Sequence, residues 1–289
     1  MALVTGLTRA EAAALVDAGG VRIGGRALGS RSRKVHTGEP LEIDADVRPA
    51  APEPLVGSPD VEVAVVYADD AVIVVDKPAG LVVHPGAGNP QGTLVQGLLA
   101  RFPDLAALAV GDAAGRPGIV QRLDKGTSGV LVVARSEVAR ASLTEQLAGR
   151  RVERSYVALA AGAVEADEGL IDAPIGRDGW VATRMAVQAS GRPARTGYRV
   201  EQRFESPLPA TLLACRLETG RTHQIRVHLA AIGHPIVGDD RYGGPVLPGA
   251  SRPFLHAAVL GFVHPLTGET MRFRSPLPLD LADLAGRFS

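Results

Sequence analysis

Residues 118–134 read GIVQRLDKGTSGVLVVA, and the fold is decided there. The second half, Val130–Ala134, is a continuous apolar run of strand length, which predicts a buried strand. The first half is a polar, turn-rich loop that sets Arg122, Asp124 and Lys125 directly against that strand. A carboxylate carried to the end of a buried strand is costly to leave alone, so it calls for a cationic partner. Two further stretches combine polar residues with tight turns in apolar surroundings: Asp76–Gly88 (DKPAGLVVHPGAG) and Thr219–Tyr242 (TGRTHQIRVHLAAIGHPIVGDDRY). Within the latter, Arg226 is better placed than Arg221 to meet Asp124, since it falls mid-helix with His223 one turn before it on the same face. A structural salt bridge and a catalytic pair fit this pattern equally well.

Outward from this centre, Val61–Tyr67 and Ala71–Val75 read as paired strands around an Asp69-Asp70 turn. Thr93–Arg101, Ser136 to about Leu147 and Thr222–Ala231 read as helices, and Ser155–Ala161, Ala210–Leu217 and Phe254–Val263 as strands. Strands outnumber crossover helices and many links are hairpin-short. The expected class is therefore α+β, a mixed, largely antiparallel central sheet with flanking helices, rather than a doubly wound parallel fold. Ahead of it, residues 7–19 form a short helix with a Thr8/Glu11 capping box, VRIGGRAL (21–28) a hairpin about Gly24-Gly25, and Leu41–Ile43 a strand. Residues 48–60 carry four prolines and no hydrophobic period. The expected organisation is a small α/β module at 1–49, a linker at 50–60 and a main domain at 61–289.

Hydrophobic residues at 46% in a chain of 289 residues allow a large core, and aromatics at only 4% leave Val, Leu and Ala to fill it. Basic and acidic residues balance at 31 each, so clustering rather than net charge must point to any polyanion. Residues 22–34 hold Arg22, Arg26, Arg31, Arg33 and Lys34 with no acid, and residues 184–203 hold five arginines against Glu201. A solvated face explains either run alone. The single cysteine, Cys215, excludes an intrachain disulfide and a Cys-rich zinc site, and reads as a core thiol. No signal-peptide pattern and no apolar run of roughly 18 residues is present, so a soluble, cytoplasmic, membrane-free monomer is expected.

Other chemistries fit less well. Gly126-Thr-Ser-Gly129 lacks the spacing of a nucleophile elbow, which leaves Ser128 as a turn hydroxyl. His223 and His228 are five apart and off a common face, so a metal site with Asp239 is not expected. Gly86-Ala-Gly88 lacks a third glycine for a dinucleotide loop. A hydrolase using Asp124 with Asp239 or Asp240 stays open, since it depends on their separation.

The chain resembles the RluA family of RNA pseudouridine synthases, in its RluD-like branch, from about Tyr67 to Phe273. Gln121–Gly129 is similar to the signature around the family's catalytic aspartate. Thr219–His228 resembles its second hallmark, with the turn at 234–239 after it. Asp76–Gly80 resembles the first motif, and Arg154-Ser-Tyr156 the segment with the active-site tyrosine. Gln121 and Gly126 depart from the commoner His and acid. Residues 7–46 resemble an S4-like RNA-binding domain whose Arg-Leu-Asp opening is missing before Leu7, so the module is expected to be truncated at its start.

The resemblance implies the pseudouridine synthase fold and the isomerisation of uridine in structured RNA, ribosomal RNA foremost and transfer RNA next. Asp124 would attack the nucleoside, at ribose or base. Arg226 would pair with it and fix its direction. Tyr156 would pack on the uracil and assist loss of the C5 proton, and Arg122 would fill the gap left by the flipped uridine. Arg22, Arg26, Arg31, Arg33 and Lys34 would contact RNA, and no metal or organic cofactor is needed. The alternative is a catalytically silent RNA-binding or ribosome-assembly protein of the same fold.

Overall fold

The computed structural model describes residues 9–30, 33–44, 46–47, 55–86, 88–109, 115–181 and 183–289. Its first part holds α1 (Arg9–Asp17), β1 (Val21–Ile23), β2 (Arg26–Ala27) and β3 (Leu41–Ile43). Gly24 and Gly25 take φ of 57° and 75°, which glycine alone adopts cheaply, so β1 turns straight back into β2. β3 pairs with the other edge of β1, and Leu15, Val21 and Ile23 close a small core. Thr8 and the side chain of Glu11 lie outside the described residues.

The main domain continues with β4 (Ala64–Ala68), β5 (Val72–Lys77), α2 (Leu94–Arg101), β6 (Ser128–Ala134), α3 (Glu137–Ala148) and β7 (Glu153–Ala161). Then come β8 (Glu168–Asp172), β9 (Ile175–Arg177), β10 (Met185–Val187), β11 (Arg195–Phe204) and β12 (Ala210–Leu217). The chain ends with α4 (Gln224–Ala231), β13 (Leu255–Val263), β14 (Thr270–Arg274) and α5 (Leu279–Ala285). Side chains alternate across β5 and β6: Ile73, Val75, Leu131 and Val133 join the core under Leu94 and Leu98 of α2. Val72, Val74, Val130 and Val132 join the opposite one under Leu143 of α3. Burial on both faces is why these strands read as unbroken apolar runs, each side chain contributing about 2 kcal/mol.

Among the described residues the large sheet has nine strands in the order β4-β5-β6-β13-β7-β12-β11-β8, with β14 paired to β13. Its pairs are antiparallel except β6 with β13, where only Ser128 and Gly129 meet His256 and Ala257. From Val259 onward β13 pairs instead with β14. Gly129 is required at this seam: its φ is 115°, and a Cβ there would stand 2.2 Å from the Ala257 carbonyl oxygen. Ser128 is no turn hydroxyl. It is buried at the start of β6 and bonds His256 Nδ1 at 2.9 Å, tying the two strands. The α+β expectation holds.

Three local expectations change. The helix expected from Thr222 starts at Gln224, because His223 adopts a left-handed φ of 57° and caps it. The segment expected as a linker lies partly outside the described residues, but residues 55–60 pack on the main domain. Ser58 N–H donates to the Gln96 carbonyl at 2.8 Å, and Gly57 abuts the Ala100 backbone. The basic run at 184–203 belongs largely to β11, where Arg195 pairs with Asp172 and Glu218, Arg199 with Glu201, and Arg203 with Asp167. No helix among the described residues is long and apolar enough to cross a membrane.

Candidate active site

The loop before β6 is fastened at three successive carbonyls. Thr127 N–H closes the turn on the Asp124 carbonyl at 3.0 Å. The Lys125 carbonyl accepts from Gly80 N–H at 2.7 Å and lies 3.5 Å from Lys77 Nζ. The Gly126 carbonyl accepts from Arg252 Nη1 at 3.0 Å, and Arg252 in turn forks onto Asp280 of α5 at 2.6 and 3.0 Å. Two distant segments, the second braced by α5, thus hold one short loop, which is how a side chain is aimed within a fraction of an ångström.

Asp124 emerges from this loop with its side chain 20% exposed. Arg226 of α4 reaches its Oδ2 through Nη1 at 3.3 Å. The expected pair is therefore present, but the guanidinium fork belongs to another carboxylate. Arg226 Nε and Nη2 bind Asp239 Oδ2 and Oδ1 at 2.6 and 2.7 Å, and Asp239 is fully buried. Burial works against the charge on Arg226, but Asp239 first and Asp124 second hold its pKa above the ordinary value. The Arg226 guanidinium also lies 4.9 Å over the Tyr242 ring. Asp239 is thereby withdrawn from the hydrolase reading, because both of its oxygens are held by Arg226.

The other oxygen, Oδ1, accepts no hydrogen bond among the described residues and has His223 Nε2 at 4.0 Å. Burial holds the His223 pKa down despite the Asp124 charge, while its Nδ1 engages Tyr242 Oη at 2.7 Å. A neutral imidazole leaves Oδ1 available for chemistry. A cleft of about 510 Å³ opens at this point, walled by His84, Asn89, Arg122, Thr222, Arg241 and Pro253. Arg122 is exposed at its side and bonds Thr222 Oγ1.

Tyr156 on β7 is 7% exposed and is not among the residues lining the cleft. Burial pushes its phenol up to about 12, with Arg154 pulling down and Asp124 pushing up. At neutral pH it presents a ring and a protonated hydroxyl rather than a ready base. His228 is spent on Thr196 Oγ1 and the Ala173 carbonyl, both at 2.9 Å. Burial likewise pushes the Cys215 thiol up to about 12, as for an inert core thiol. Far along the chain, Arg22, Arg26 and Lys34 are exposed, Arg33 pairs with Glu39 at 3.6 Å, and Arg31 lies outside the described residues.

Sequence reasoning gave no role to Lys77, which is fully buried and donates to the carbonyls of Pro78 and Leu81 at 2.8 and 2.9 Å. Its only signal was a position inside the Asp76–Gly80 motif. Burial pushes its ammonium down to about 7, with Asp124 opposing the shift and Arg252 adding to it. Below that pH the folded and unfolded chains both hold the proton and the whole burial cost is felt. From about 7 towards 10.5 only the unfolded lysine stays charged, so stability rises with pH, by up to about 1.4 kcal/mol per unit. Lys77→Met should flatten that rise while lowering stability overall by orphaning its carbonyl acceptors. Denaturant titrations of both proteins across this window check it, and parallel pH profiles would refute it.

The family described as RNA pseudouridylate synthase matches residues 71–231. The ribosomal large subunit pseudouridine synthase D of Xanthomonas campestris is 50% identical over 238 residues, 78% of this chain and 69% of that one. An uncharacterised RNA pseudouridine synthase of Bacillus subtilis is 42% identical over 277 residues, 96% and 88% of the two chains. Among solved structures, human RNA pseudouridylate synthase domain containing 1 superposes with a TM-score of 0.59 at 30% identity, covering 79% of this chain and 89% of that one.

Proposed function

The chain belongs to the RNA pseudouridylate synthase family, and from that premise we propose that it isomerises uridines of large-subunit ribosomal RNA, with Asp124 as the nucleophile. The observation that carries the assignment of Asp124 is its half-held carboxylate. One oxygen is steered by Arg226, the other is unclaimed, and Asp239 keeps the guanidinium from closing on both. During the reaction the bond from ribose C1′ to uracil N1 breaks, the base turns, and C1′ joins C5. The C5 proton leaves and N1 takes one up, so atoms and electrons balance without oxidation or hydrolysis. Side chains suffice for such an exchange. Tyr156 is assigned to the uracil face from its sequence motif alone, since it does not line the cleft, and Arg122 takes the place of the extruded nucleotide. The test is pseudouridine mapping in total RNA with and without the gene, joined to conversion of a ribosomal RNA transcript by the purified protein. Loss of sites confined to transfer RNA would move the substrate, and no lost site would favour a silent RNA-binding protein.

The N-terminal module is proposed to grip phosphates through Arg22, Arg26, Arg33 and Lys34, and Arg31 is assigned with them from sequence alone. Each phosphate contact releases counterions, so affinity falls with salt at roughly 0.7–0.9 log units per contact. Deleting residues 1–49 should lower affinity and flatten the salt slope by about two units or more. Single-turnover rates at saturating RNA should hold, because Asp124, Arg226 and Tyr156 all lie in the main domain. An unchanged salt slope would remove the module from the RNA interface.

A further inference from the structure

Trp180 is the one tryptophan of the chain, and it is 97% exposed. So large an apolar ring is normally held by burial, and here it gains none. It sits in the loop between β9 and β10, a hairpin that stands apart from the large sheet. Hydrogen bonds tie the described residues of this loop together: Asp178 Oδ1 accepts from Trp180 N–H at 2.8 Å and Val181 N–H at 3.2 Å, and Asp178 N–H donates to the Arg184 carbonyl at 3.0 Å. Its base is bolted to the cleft. Ile175 and Met185 pack with Val227 of α4 and Tyr242, and Met185 N–H donates to Tyr242 Oη at 3.1 Å. Arg184 lies 5.3 Å over the Tyr242 ring, and Arg241 of the cleft wall reaches the Thr183 carbonyl at 3.4 Å. The hairpin and the segment after it also carry Arg184 and Arg192.

We propose that the β9–β10 hairpin is an RNA-gripping arm and that Trp180 stacks on an unpaired base flanking the target uridine. The proposal rests on RNA being the substrate, as the family requires. A base supplies the flat face that an isolated indole can cover, and its phosphates meet the arginines beside it. Because Tyr242 touches both the hairpin and Arg226, a base gripped at the tip is held in register with Asp124.

Since Trp180 is the sole tryptophan, its emission reads the contact directly in the full-length protein. Titration with an in vitro transcript of large-subunit ribosomal RNA should quench it. Trp180→Ala should weaken binding about tenfold with the salt slope unchanged, and Trp180→Phe should restore most of the loss. The melting temperature should stay at its wild-type value, since the ring buries nothing. Unchanged emission together with unchanged affinity of Trp180→Ala would overturn the proposal. So would emission that shifts with protein concentration alone, which would mark a contact between copies of this chain. Wild-type protein that binds the transcript without converting uridine would fell the proposed reaction, while quench and affinity would still decide the role of Trp180.

Discussion

Asp124→Asn is expected to fold, to bind RNA with wild-type affinity and to form no pseudouridine, its turnover falling on the order of 10⁴-fold or more. The amide keeps the shape of the carboxylate and loses the charge and the nucleophilic oxygen. What makes the experiment clean is the small structural cost. The side chain is 20% exposed and gives up one contact at 3.3 Å, worth about 1 kcal/mol, so the melting temperature should move by only about 2–4 °C. Arg226 is not left unpaired, because Asp239 holds it through two shorter bonds. Tritium release from RNA labelled at uridine C5, run beside thermal unfolding, measures both quantities. Turnover within tenfold of wild type would take the nucleophile away from Asp124, and a collapse of stability would mean that Asp124 is a structural partner of Arg226.

That small cost is not what the sequence alone suggests. With Asp124 and Arg226 taken as a closed pair, removal of either would cost about 3–5 kcal/mol. The pattern of residues brought the pair together across the fold correctly, because an apolar strand preceded by a charged loop and a helix carrying an arginine are both local signals. It could not allocate the guanidinium. Asp239 stands in a turn that reads as connector, and nothing local distinguishes it from Asp240 beside it. In three dimensions the two part completely: Asp239 is fully buried, Asp240 exposed. His223 was misread for a similar reason. Helical periodicity extends smoothly through Thr222, but a left-handed φ at His223 delays the first turn, and backbone strain of this kind leaves no periodic trace. The sheet itself was the most legible part. β5, β6 and β12 are bounded by turn residues and dense in Val, Leu and Ala, whereas the half-exposed β8, β11 and β14 carry charges that mask their period.

Asp239→Ala should be the most destabilising single change in the cleft. It leaves a guanidinium only 9% exposed without the partner that satisfied two of its donors, at a cost of about 3–5 kcal/mol. Catalysis should suffer separately. With Asp239 gone, the only carboxylate still bonded to Arg226 among the described residues is Asp124, and a guanidinium free to turn can take both of its oxygens. The nucleophile would then be the thing holding Arg226, with no oxygen left for substrate. Asp239→Asn, which keeps one acceptor and the shape, should fall between wild type and alanine in both respects. The double variant Arg226→Met with Asp239→Leu separates the two effects, since an apolar pair of similar volume removes the buried charge altogether. It should recover at least about 2 kcal/mol over Asp239→Ala while remaining inactive, because Asp124 has lost its guide. Denaturant unfolding and single-turnover assays on the four proteins test this. A double variant no more stable than Asp239→Ala would show that Arg226 and Asp239 are not one unit, and an active double variant would show that Asp124 is aimed by its loop alone.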